Sequence, residues 1–145
     1  MSFDELRQLQ EEVNNGIKED TENICNAITE FFDTTFDAES TEVYKQAILN
    51  GKDTVKLKFY ISFLYEETGN VYLQYMQYDK SRNIGTIVHN KPFSEHWEDN
   101  IAPFTALIKE KLTEHGLSFI DPTWYLDSIG GGEAPTVIFE IKMQF

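Results

Sequence analysis

Apolar residues open the chain at spacings of three and four. Phe3, Leu6, Leu9, Val13, Ile17, Ile24, Ile28 and Phe31 recur in this way. At about 100° per residue they fall within a sector of roughly 120°. The phase survives Asn14-Asn15-Gly16. The spacing therefore predicts one long helix to about residue 32, with Gly16 as the place for a bend. Ser2 followed by Glu5 supplies a capping-box start. The apolar side of this rod is expected to dock onto the rest of the domain. A short second helix is predicted over Thr41–Leu49, capped by Ser40 and ended by Asn50-Gly51.

The period then drops to two. In TVKLKFYISFL, Val55, Leu57, Phe59, Ile61 and Phe63 alternate with Thr54, Lys56, Lys58, Tyr60 and Ser62, the pattern of a half-buried strand. EETGN reads as a turn and VYLQYMQY as a second strand. DKSRN reads as another turn and IGTIVH as a third strand. A helix opened by Ser94 or Asn100 follows, with Phe93, Trp97, Ile101, Phe104, Ile108 and Leu112 on one face and Gly116 as its stop. Pro103 fits best in the first turn of a helix starting near Asn100, where a missing N–H costs little. TWYLDS and PTVIFEIKMQF are the last strands, with Val137, Phe139, Ile141, Met143 and Phe145 pointing inward. The order α-(α)-β-β-β-α-β-β predicts an α+β fold in a single domain, 1–145. One mainly antiparallel five-stranded sheet is combined with a long N-terminal helix and a second long helix.

Charge changes the picture more than composition does. The chain carries a formal net charge of -13 over 145 residues. Residues 1–42 hold 12 acids against Arg7 and Lys18, while the other 103 residues hold 13 acids and 10 bases. This balance argues against DNA, RNA or anionic lipid as a direct ligand and makes a basic protein the natural complement. On the helical projection Glu5, Glu12, Glu19 and Glu30 share a stripe opposite the apolar face. Asp4, Glu11, Glu22 and Asp33 lie beside it, and Asp20 falls near the apolar edge. A plain solvated face would mix both signs, and like charges four apart each cost a helix a few tenths of a kcal/mol. One cysteine excludes an internal disulfide and fits a reducing cytosol, so a cytoplasmic location is expected. The acidic front end lacks the order of a secretory signal, and no stretch reaches the ~18 apolar residues of a membrane span.

Candidate chemistry is sparse. EHWED sets His96 among three carboxylates but lacks the HExxH arrangement and a cysteine partner. IGGGEAP is glycine-rich, yet a strand rather than a helix follows it, which fits a hairpin connection better than a phosphate cradle. Cys25 sits between apolar positions and reads as a buried thiol, and neither Ser62 nor Ser81 has a G-x-S-x-G setting. No catalytic residue, metal site or cofactor is expected. Tyr60, Tyr72, Tyr78 and Met76 are placed on the sheet face opposite the main apolar one. They are either covered by a helix or form a tyrosine-rich patch suited to a protein interface.

The order of elements and some local wording resemble the YezG-like immunity proteins, from about residue 24 to the end. The resemblance lies in ITEFFD, in VKLKFYISFLYEETGNVYLQYMQY, in IAPFTALIKEKLTEHGL and in the closing pair with FEIKMQF. Gly116, Trp124, Gly130 to Gly132 and Phe139 hold the places of the family's helix stop, strand-opening tryptophan, glycine turn and aromatic last strand. SFIDPTW departs from the family's tight link after the helix. The family's acidic segment before the first strand has no counterpart. The resemblance implies a bacterial immunity protein against a nuclease toxin exported by type VII secretion. The expected function is thus a non-enzymatic inhibitor of a basic protein, either a toxin nuclease domain or a nucleic-acid-binding complex blocked by a phage-type DNA mimic. Asp4, Glu5, Glu11, Glu12, Glu19 and Glu22 would steer, and Tyr60, Tyr72 and Tyr78 would anchor. A third class, a structural or oligomeric protein with the long helix as its seam, leaves monomer and homodimer both open.

Overall fold

The computed structural model describes residues 1–63, 68–88, 91–129 and 132–143. Its helices are α1 (Phe3–Glu30), α2 (Phe36–Leu49), α3 (Lys91–Glu95) and α4 (Ala102–Glu114). Its strands are β1 (Thr54–Phe63), β2 (Thr68–Tyr75), β3 (Lys80–Val88), β4 (Ser118–Ile129) and β5 (Gly132–Lys142). The five strands form one antiparallel sheet in the order β3-β2-β1-β5-β4. The α+β class and the element order agree with the sequence pattern. Residues 64–67 of the expected first turn, together with His89, Gly130, Gly131 and Phe145, lie outside the described residues, as does the side chain of Phe63.

One side of the sheet carries the core, because alternate residues of a strand point the same way. Val55, Leu57, Phe59 and Ile61 of β1 join Val71 and Leu73 of β2 and Val137, Phe139 and Ile141 of β5. Register places Leu57 opposite both Tyr75 and Phe139. Onto this side α1 lays Ile24 and Ile28, and α4 lays Phe104, Ile108 and Leu112. Pro103 falls in the first turn of α4, as its missing N–H requires. Both α2 and α4 end in a Schellman motif. Gly51 and Gly116 take positive φ, and the residue after each donates its N–H to Ala47 and Leu112 respectively.

The stretch between the two expected N-terminal helices differs from its prediction. No break occurs before residue 40. Instead Phe31–Thr35 form a π-helical turn that joins α1 to α2. A π turn inserts one extra residue and so rotates the following phase by about 100°. That rotation brings Phe36, Val43 and Ala47 back to the core side already used by Ile24 and Ile28. Ser40 is therefore not a cap but a buried residue inside α2. Phe31, Phe32 and Phe36 meet there with centroids 4.9 to 6.0 Å apart. Such aromatic pairs are each worth about 0.5–1.5 kcal/mol beyond the area they bury.

Two strand boundaries also move. β2 stops at Tyr75, and Met76–Tyr78 turn as a 3-10 helix into Asp79, whose φ is 47°. Gln74 donates to Asp79 Oδ1 at 2.6 Å and Gln77 to the Thr54 carbonyl at 2.7 Å, which pins this turn against β1. β3 consequently begins at Lys80, inside the stretch read as a turn. β4 runs well beyond TWYLDS, and its register shifts between Ile120 and Thr123. Pro122 cannot donate to the ladder, so a bulge on this edge strand is its natural place.

Candidate functional site

The N-terminal half of α1 leaves the body. Every residue from Met1 to Asn15 is exposed, about 20 Å of helix at 1.5 Å per residue. Phe3 is 80 % exposed, Leu6 46 %, Leu9 48 % and Val13 36 %. The expectation that the whole apolar side docks onto the domain therefore fails for its first half. Docking starts at Ile17, which packs against the core, and is complete at Asp20 and Ile24, both buried. The free segment can stay helical because the docked half supplies the costly nucleus and each further residue only extends it. Ser2 Oγ adds a cap by accepting the Glu5 N–H at 3.2 Å.

All six predicted steering residues lie on this helix. Asp4, Glu5, Glu11, Glu12, Glu19 and Glu22 are exposed. Asp4 meets Arg7 at 2.9 Å, a solvent-bathed pair that neutralises little. Glu5, Glu11, Glu12, Glu19 and Glu22 form no ion pair with any described residue, whereas most of the body's cations are engaged, and Asp33, expected beside the ridge, is one of the acids they neutralise. Lys58 binds Asp127 at 2.9 Å, Lys111 binds Asp33 at 2.8 Å, and Lys80 and Arg82 both hold Glu39. The ridge is a row of uncompensated carboxylates.

The tyrosines are divided. Tyr60 and Tyr72 face each other across β1 and β2, outside the core cluster. Their rings stack at 5.0 Å and 9°. The Tyr60 hydroxyl lies 3.0 Å from Ser81 Oγ, and only 9 % of Tyr60 remains exposed. Tyr72 is half-buried, and Met76 and Tyr78 sit on the turn beyond β2, outside the strand alternation. Beside the tyrosine pair, Lys58 holds the Asp127 carboxyl below the usual aspartate range. Burial, with Asp127 alongside, pushes the Tyr125 hydroxyl up. The structure thus sets Asp4, Glu5, Glu11 and Glu12 on the free arm and Glu19 and Glu22 on the docked half of the same helix, and leaves the tyrosine pair on the opposite side of the sheet.

His96 is exposed among exposed acids, and Cys25 is half-buried with its thiol pushed up by that burial. His115 lies 2.9 Å from Asp37 Oδ1 through Nδ1 and 3.1 Å from the Phe32 carbonyl through Nε2, so it clamps α4 to the π turn. Thr41, Tyr44, Lys45, Ile48 and Leu49 line an open apolar pocket of about 500 Å³ on the outer side of α2. Burial pushes the Tyr44 hydroxyl there up to about 12, so it is neutral at physiological pH. Among the described residues no three His, Cys, Asp or Glu side chains stand close enough to hold a metal ion, and no described helix is long and apolar enough to cross a membrane.

Sequence reasoning placed Phe3, Leu6, Leu9 and Val13 on the face docked to the body, whereas the structure leaves them exposed. Length was the available signal. A helix of 28 residues spans about 42 Å, while the strands of 8 to 12 residues beneath it span roughly 26–40 Å in a twisted sheet. Comparison with protein-family models, with curated proteins and with solved structures gave no match.

Proposed function

We propose that this protein is a non-enzymatic inhibitor that binds and neutralises a basic protein, with the exposed acidic ridge of α1 as its recognition element. The observation that carries the reading is the row Glu5, Glu11, Glu12, Glu19 and Glu22, solvent-exposed and without ion pairs to described residues. A protein that acts on nucleic acid must attract phosphate, so a ridge of carboxylates competes for the same surface. Long-range attraction of this kind speeds encounter more than it deepens affinity. Within that class we place the protein as an immunity protein against a nuclease toxin, in line with the resemblance of its helix–hairpin–helix–hairpin order to the YezG-like proteins. Tyr72 and Tyr78 remain accessible for a second contact, while Tyr60 serves chiefly to support Tyr72.

The test is capture followed by assay. The full chain, immobilised, should retain from its native lysate a basic protein with nuclease activity. Purified chain added in equimolar amount should then suppress that activity. Retention of a restriction or CRISPR complex instead would move the reading to phage-type DNA mimicry. A captured nuclease whose activity is untouched would contradict the inhibitor reading altogether.

A further inference from the structure

We propose that the apolar stripe of the arm is covered by a second copy of this chain, the two arms pairing along Phe3, Leu6 and Val13. Asp4, Glu11 and Glu22 lie on the opposite side of the helix from the stripe, roughly 140–180° around the axis from Leu6 and Val13, while Glu5, Glu12 and Glu19 stand roughly 80–140° away. A cationic surface held by Asp4, Glu11 and Glu22 therefore does not cover the stripe. Four neighbouring large apolar side chains, one of them 80 % exposed, still require an occupant.

The charge pattern selects which occupant. Read in heptads, Phe3, Gln10 and Ile17 take position a, and Leu6 and Val13 take position d. The positions flanking this seam hold Arg7, Leu9, Asn14 and Gly16, none of them acidic. Every steering acid falls at b, c or f, turned outward. Two copies can thus meet although each carries a net charge of -13, because no carboxylates are brought face to face at the contact. A basic partner, by contrast, would find on the seam only a cation of its own sign, Arg7. The stripe is also self-complementary, as a two-fold contact must be, and it runs in phase into Ile24 and Ile28, the side α1 buries against its own body. Gln10, polar at an a position, would fix the register of the pair.

The seam is a strip about 20 Å long and one helix, about 10 Å, wide. That is well under the roughly 800 Å² per partner of a standard interface, so the pair should dissociate on dilution. Analytical ultracentrifugation of the full chain, from low micromolar to several hundred micromolar, tests this. The wild type should pass from 16.8 kDa to twice that mass as concentration rises. Leu6→Glu/Val13→Glu should stay monomeric throughout, with the melting temperature of the body unchanged, and Glu5→Gln/Glu12→Gln should still pair. Should the glutamates melt the arm, Leu6→Ala/Val13→Ala, which favours helix, decides in the same way. A wild type that stays monomeric, or a pair that survives loss of Leu6 and Val13, overturns the proposal. Neither outcome touches the acid-ridge reading, whose own test is the captured nuclease.

Discussion

Asp127 shows how the body spends its cations on itself. Lys58 donates to Asp127 Oδ2 at 2.9 Å, and this hydrogen bond is the main reason the carboxyl titrates below its ordinary value. A carboxyl depressed in the folded state adds stability above its unfolded pKa and loses it as pH falls through the folded value. The Lys58→Met variant should therefore show a shallower loss of stability than the wild type in urea unfolding between neutral pH and about pH 2. The two curves should converge in shape at the acid end. An unchanged pH dependence would mean that the pair is a contact without thermodynamic weight. The same residue scale explains why the ridge stands out. Cations of the body, such as Lys58 and Lys111, are close to acids of the body, and only Arg7 and Lys18 share the first helix with the carboxylates.

Elements set where the arm leaves the body. Gly85 on β3 lies so close to α1 that a Cβ there would overlap the Cβ of Ala27. This contact fixes the docked half of the helix and so the direction of the free half. Gly85→Ala should lower stability by about 1–3 kcal/mol, the range for overpacking, read as a lower urea midpoint with an unchanged slope. A neutral result would show that α1 can lift from β3 at no cost. Much of this level was legible beforehand. Val55 to Ile61 and Val137 to Ile141 announced their strands by alternation, and Gly51 and Gly116 announced helix ends. Ser40 misled because the extra residue of the π turn shifts the apolar phase, and a phase shift in a sequence looks like a break. Phe3 to Val13 misled differently. Their periodicity is the same whether a helix faces its own core or another molecule, so periodicity alone could not locate the partner. Tyr78 was misplaced because the chain leaves the strand at Met76, which alternation does not report.

At the scale of the whole molecule, the two proposals give different work to different sides of one helix. Pairing along Leu6 and Val13 would leave a ridge of carboxylates on each outer side of a two-helix rod, so one dimer would present two acidic faces to two cationic partners. The tyrosine pair on the far side of the sheet stands apart from this arrangement, consistent with a burial that leaves 9 % of Tyr60 exposed. Salt should weaken the ridge and spare the seam, because exposed charges are screened over about 10 Å at 0.1 M while apolar burial is not. The most direct measurement is the association rate constant of the captured cationic partner with wild type and with Glu5→Gln/Glu12→Gln/Glu19→Gln, across a range of ionic strength. The account predicts a rate lower by roughly tenfold for the variant at low salt and a flatter salt dependence, with the two converging at high salt. Equal rates and equal salt slopes for the two proteins would contradict it.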